Sequence, residues 1–184
     1  MTKYVALLRG INVGGKNKIK MAELRVAMEH LGLSKVQTYI QSGNILFESD
    51  EDEVTLRLKI EQMIQAEFGL TIPTMIRTSE ELQKIVDSCP FSDQQIAEAE
   101  ASSEVESLYV TMLLDVPDAE RVEKLKTLDF KGDQFEVQGR NVYLLFYQSI
   151  RNSKLAVQVE KLGVPATTRN WKTMNKLISL SNEL

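Results

Sequence analysis

Arg9-Gly10-Ile11-Asn12-Val13-Gly14-Gly15-Lys16-Asn17-Lys18-Ile19-Lys20 gathers four cations and three glycines with no acidic residue among them. Glycine admits positive φ and lets the backbone approach a ligand closely, while lysine and arginine supply charge, so the stretch suits an anion. In that chemistry Arg9, Lys16 and Lys18 neutralise a phosphate or carboxylate, Gly14 and Gly15 present backbone N–H groups, and Asn12 fixes orientation. The spacing from Gly10 to Lys16 also approaches the phosphate loop G-x-x-x-x-G-K-[ST]. Asn17, however, stands where the magnesium-binding hydroxyl belongs, and helical periodicity starts only at Met21. A nucleoside triphosphatase is set aside on those mismatches.

A second group lies near the other end. Arg169-Asn170-Trp171-Lys172 opens the last helix: Asn170 is a good N-cap, yet cations stand where the helix dipole prefers acids. Thr78-Ser79-Glu80-Glu81 at the matching helix has the expected charges. A bound anion would explain the departure, completing the first site or forming a second; ion pairing of Arg169 and Lys172, with Trp171 as core, would explain it equally.

Other chemistry has less support. Cys89 precedes a proline near Asp87, where a thiol pKa rises rather than falls, and His30 suits the C-terminus of a helix. With one cysteine and one histidine there is no His/Cys cluster for zinc. Asp50-Glu51-Asp52-Glu53 fits a helix N-terminus better than a calcium loop. Neither a metal nor a cofactor is expected, and no acid, base or nucleophile is placed well enough to name as catalytic.

The elements that must position the loop follow from periodicity. Tyr4–Leu8 is a strand, and Met21, Leu24, Met28 and Leu31 mark the buried stripe of a helix that Gly32 caps. Val36–Ile40 and Asn44–Glu48 form a hairpin around Gln41-Ser42-Gly43-Asn44. A helix follows with a buried face of Val54, Leu58, Ile60 or Glu61, Ile64 and Phe68, then Gly69 and a strand at Ile72–Ile76. The order β-α-β-β-α-β is ferredoxin-like, and it sets the first strand beside the third. The glycine-lysine loop and the Gln41–Asn44 turn therefore share a rim, where Gln41, Ser42 and Asn44 either contact the ligand or satisfy the turn's own backbone.

The chain then repeats the plan: a capped helix through Asp87; strands at Leu108–Leu114, Phe135–Gln138, Asn141–Tyr147 and Ala166–Thr168; and helices at Asp118–Leu128, Ser153–Leu162 and Trp171–Leu180. Ser92 is placed to cap a short helix between the halves. Ile72-Pro73-Thr74-Met75-Ile76-Arg77-Thr78 aligns without gaps on Val164-Pro165-Ala166-Thr167-Thr168-Arg169-Asn170, and Gln41–Asn44 matches Gln138–Asn141, which points to internal duplication. The expected division is residues 1–90, an acidic linker 91–106, and 107–184.

The totals bound the partners. A chain of 184 residues, 43% hydrophobic and 26% charged, should bury a real core. Its net charge of −4 divides into +5 over residues 1–47, −11 over 48–107, −3 over 108–136 and +5 over 137–184. Such a chain is a poor non-specific nucleic-acid binder, although a local basic patch still suits one phosphate group. RNA stacking on the sheet is disfavoured, because Ser42-Gly43-Asn44-Ile45-Leu46-Phe47 lacks the aromatic RNP signature. The longest apolar run, Val142–Tyr147, is far too short to span a bilayer, and Tyr4–Leu8 makes no signal peptide. A cytoplasmic protein is expected.

Tyr4–Gly15 with Lys18-Ile19-Lys20-Met21, Tyr39-Ile40-Gln41-Ser42-Gly43-Asn44, and Thr167–Thr173 with Lys176-Leu177 resemble the uncharacterised bacterial family catalogued as domain of unknown function 1697. The resemblance spans nearly the whole chain. It implies a cytosolic α+β protein with two ferredoxin-like subdomains and lends no activity. The function expected is binding of a small phosphate- or carboxylate-bearing ligand at the glycine-lysine rim. The alternative is a module whose basic ends dock on an acidic protein surface or on RNA.

Overall fold

The computed structural model describes residues Met1–Leu184. Strands β1 (Thr2–Leu8), β2 (Ser34–Tyr39), β3 (Asn44–Ser49) and β4 (Thr74–Thr78) form an antiparallel sheet in the order β2-β3-β1-β4. Helices α1 (Met21–His30) and α2 (Glu53–Phe68) cover one face of it, burying Ala6, Leu8, Ile45, Phe47 and Ile76 with Leu24, Met28, Leu56 and Ile60. A second sheet, β6-β7-β5-β8, repeats this with β5 (Leu108–Leu113), β6 (Gln134–Gln138), β7 (Asn141–Leu145) and β8 (Ala166–Asn170). Helices α5 (Ala119–Lys126) and α6 (Lys154–Val159) back that sheet around Leu113, Leu125, Val142, Phe146 and Leu155. These are two ferredoxin-like subdomains of an α+β protein.

The repeat extends to single hydrogen bonds. Leu8 N donates to Gly43 O (2.9 Å) and Arg9 N to Pro73 O (3.0 Å); Leu113 N donates to Arg140 O and Leu114 N to Pro165 O, both 2.8 Å. Arg77 Nη1 donates to Ile76 O, and Arg169 Nη1 to Thr168 O, both at 3.0 Å. The aligned Pro-x-x-x-Arg segments thus occupy the same place in each sheet.

Contacts divide the chain into Met1–Val86 with Met174–Leu184, and Asp87–Thr173. That division differs from the one composition suggests. The acidic stretch 91–106 carries helix α4 (Asp93–Ala101), which Ser92 opens with a capping box to Gln95. Ala99 and Ile96 of α4 pack with Leu108 and Leu145, inside the second unit. Helix α3 (Ser79–Asp87) opens with the expected box, Thr78 N donating to Glu81 Oε1 (3.0 Å) and Glu81 N to Thr78 Oγ1 (3.1 Å).

One expected core face is corrected. In α2 the buried side chains are Leu56, Ile60, Met63 and Ile64, while Val54 is 57% and Leu58 44% exposed. The helix caps at Asp52, which accepts from Thr55 N (2.8 Å), and its apolar residues alternate from Val54 to Ile60, so two phases fit the same stretch.

Candidate anion-binding loop

Two apolar anchors fix the ends of the loop. Ile11 and Ile19 enter the core at 1% and 3% exposure, so the intervening residues must turn back on themselves. Asparagine does the turning. Asn12 (φ 55°) and Asn17 (φ 49°) lie in the left-handed region, which their short polar side chains tolerate better than most. Asn12 N donates to Asn17 O (3.1 Å). The Asn12 side chain accepts from Ile19 N (2.9 Å) and donates to Ile19 O (3.0 Å) and Gln41 O (2.8 Å). Asn17 Nδ2 donates to Gly10 O (3.1 Å). At the tip, Lys16 N donates to Val13 O (3.0 Å) with Gly14 (φ 57°) and Gly15 (φ 73°) between them. Positive φ at both central positions is the type I′ pattern, and glycine adopts it without steric cost.

This bracing assigns roles. Both donor positions of the Asn12 amide and its oxygen are occupied by backbone, so Asn12 shapes the loop rather than facing a ligand. Asn44 is likewise turned inward: it is fully buried and its Nδ2 donates to Tyr39 O (3.1 Å) and Ser42 Oγ (3.0 Å). The side chains of Lys16, Lys18, Lys20 and Gln41 are exposed, whereas Arg9 and Ser42 are half-buried. No acid occurs before Glu23, so every charge that the loop itself carries is positive.

The shared rim exists, joined by the Asn12–Gln41 and Leu8–Gly43 bonds, and it is tight. A Cβ on Gly43 (φ 84°) would lie 2.7 Å from Leu8 Cβ and 2.8 Å from Ile11 Cδ1, so only glycine fits there. Ile40 is the unexpected member. A β-branched residue at φ 49° is a genuine outlier, and Ile40 holds this conformation while 49% exposed. Val13 at the loop tip is 62% exposed. From the sequence alone Ile40 is the end of a strand and Val13 a loop residue; their exposure and the φ of Ile40 are set by tertiary contacts.

The second group is arranged differently. Arg169 is buried in β8, and its Nη1 donates to Thr167 Oγ1 (2.6 Å) and Thr168 O (3.0 Å). Burial pushes its pKa down to about 10, which still leaves it charged at neutral pH. Asn170 caps helix α7 (Trp171–Asn182) by accepting from Thr173 N (2.8 Å). Trp171 is half-buried with its ring 6.2 Å from that of Tyr143, and Lys172 is exposed. Of this group only Lys172 shows an exposed side chain. Arg77, the counterpart of Arg169 in β4, is also buried.

Nucleophilic chemistry finds little footing. Burial raises the Cys89 thiol pKa, opposed by a backbone hydrogen bond from Phe91 and reinforced by Asp93 and Glu136. Tyr143 is pushed up to about 12, first by burial, then by Cys89 and Glu136. No group of three or more His, Cys, Asp or Glu side chains is placed to hold a metal ion. Asp133 is buried but accepts from Tyr147 N (2.7 Å), Gln148 Nε2 (3.0 Å) and Ser153 Oγ (2.7 Å), which fastens the segment leading into α6. No helix is long and apolar enough to cross a membrane.

Comparison with known proteins agrees with this architecture. Among solved structures, the conserved bacterial protein SP0830 from Streptococcus pneumoniae superposes with a TM-score of 0.75 at 29% identity, over 98% of each chain. No curated protein matches. The profile described as "Protein of unknown function (DUF1697)" matches residues 1–143, and the chain belongs to that family.

Proposed function

We propose that the protein binds a phosphate- or carboxylate-bearing ligand on the loop Arg9–Lys20. One observation carries this reading: the loop is braced by its own asparagines, leaving Lys16, Lys18 and Lys20 exposed on a stretch that contains no acidic residue. A loop already ordered before binding loses little conformational entropy on capturing an anion. Lys16, Lys18 and Arg9 supply charge, Gly14 and Gly15 supply N–H groups, and Gln41 and Ser42 add polar contacts from the rim. Asn12 and Asn44 hold these in place.

Magnitudes limit the ligand. An exposed charge pair at about 4 Å gives roughly 1 kcal/mol in water, so three cations on one phosphate give roughly 3 kcal/mol, a Kd of about 6 mM. Tighter binding requires the glycine N–H groups or more than one anionic group on the ligand. The exposed Val13 and Ile40 beside the cations favour a second reading, a macromolecular anion such as an acidic protein face or RNA. The single free cysteine suits a reducing, cytoplasmic setting.

Calorimetric titration with inorganic phosphate, mononucleotides, sugar phosphates and short RNA tests this, repeated on Lys16→Ala with Lys18→Ala. Saturable binding of one small anion, weakened at least fivefold in the double variant, supports the proposal. Binding of the long polyanion alone moves the assignment to the second reading. No response to any of them removes both.

A further inference from the structure

The two sheets end in edge strands of opposite character. β2 is disrupted: its register against β3 shifts between Ser34 and Gln37, with Lys35 at φ 51°. A bulge and an edge lysine are devices by which sheets avoid pairing with other chains. β6 has neither. It pairs with β7 in unbroken register from Gln134↔Leu145 to Gln138↔Asn141, and it contains no proline, glycine or lysine.

Its hairpin fixes which groups face outward. The two-residue turn Gly139-Arg140, with Gly139 at φ 59°, makes Gln138↔Asn141 a hydrogen-bonded pair. Alternation then leaves Phe135 and Val137 in non-bonded pairs, so their N–H and C=O groups point out of the sheet. On the face that carries their side chains lies a hollow of about 620 Å³, lined by the apolar Pro117, Val122, Phe135 and Val137 and, at its rim, by the charged Glu123, Lys126 and Glu136. Val116 is 69% exposed. The opposite face of β6 carries exposed Glu136, flanked by Gln134 and Gln138. At the rim Glu123 is paired with Lys126 at 3.0 Å, and Glu136, whose Oε2 accepts from the neutral Gln138 Nε2 (2.7 Å), is the one carboxylate that β6 itself carries.

We propose that the outer edge of β6 docks an extended peptide of alternating apolar and basic residues. The peptide adds a strand: its backbone bonds Phe135 and Val137, its apolar side chains enter the hollow, and a basic side chain on the other face meets Glu136. A second copy of the chain is a poorer occupant, since antiparallel β6–β6 pairing centred on Glu136 sets two like charges opposite one another.

Amide hydrogen exchange on the full-length protein tests this with the capped hexapeptide Val-Lys-Val-Lys-Val-Lys as probe. In the free protein the Phe135 and Val137 amides should exchange at least tenfold faster than those of Gln134, Glu136 and Gln138, and slow at least tenfold on saturation. Glu136→Lys should weaken binding at least tenfold, and the Val-Glu hexapeptide should bind at least tenfold more weakly than the Val-Lys one. Val137→Pro should abolish docking while the β6–β7 ladder survives, because that N–H does not face β7; if it unfolds the protein, Glu136→Lys still decides. Three results would each overturn the proposal: unchanged Phe135 and Val137 amides at saturating peptide, equal affinity for both hexapeptides, or a dimer in sedimentation whose free-state amides at 135 and 137 are already protected.

Discussion

The link after the first strand shows how far the two halves have diverged from one plan. In the first unit Leu8 is followed by Arg9–Lys20, a cationic loop turned by Asn12 and Asn17; in the second, Leu113 leads through Leu114–Asp118 straight to the Asp118 cap of α5. The bonds that anchor the two links are the same, to Gly43 O and Pro73 O in one and Arg140 O and Pro165 O in the other. The frame therefore does not require the longer loop. The proposed binding role would give a reason for this elaboration, which is braced by dedicated asparagines and anchored in the core by Ile11 and Ile19.

That comparison can be broken most sharply at Gly43. Its counterpart in the second half is Arg140, where a side chain is accommodated. Gly43→Ala sets a Cβ against Leu8 and Ile11 at positive φ and should cost about 3 kcal/mol, lowering Tm by roughly 6–12 °C in calorimetry. Arg140→Ala should cost about 1 kcal/mol or less. Equal losses at the two positions would dissolve the contrast.

Asn12 comes next. Asn12→Ala leaves Ile19 and Gln41 backbone groups without their partner and should cost about 2 kcal/mol in denaturant unfolding. It should also weaken anion binding several-fold although no cation is removed. Retained affinity would mean that loop shape is immaterial to binding.

A smaller effect separates the halves by pH. Tyr143 is aligned with Leu46, so only the second sheet carries a phenol at this buried position. Its folded pKa of about 12 lies above the ordinary 10, so the neutral phenol stabilises the fold fully below about pH 10, and that contribution is lost as pH rises toward 12. Tyr143→Phe should flatten the alkaline limb of stability measured by urea unfolding across that window; an unchanged slope would refute the assignment.

Much of the frame was legible because local rules and global fold agree. The Thr78–Glu81 box, the Ser92 cap and the Gly69 stop form as their chemistry dictates. The face of α2 was not, since Val54, Leu56, Leu58 and Ile60 alternate and leave the helical phase open. Asn12 and Asn44 bear the right groups for a ligand, but whether an amide faces outward or inward depends on the φ of the loop and on carbonyls distant in sequence. Arg77 and Arg169 look like surface residues and are buried, because strand alternation carries them to an enclosed face of each sheet.

The most direct test of the central claim follows the backbone amides of Gly14, Gly15 and Lys16 by NMR during titration with inorganic phosphate, at low salt and again near 0.15 M, where screening acts within about 8 Å. The proposed site predicts saturable shifts at these amides, at least fivefold weaker binding in the Lys16→Ala, Lys18→Ala variant, and loss of affinity with salt. Shifts scattered over the surface, or a response at Lys172 with none at Gly14 and Gly15, would contradict it.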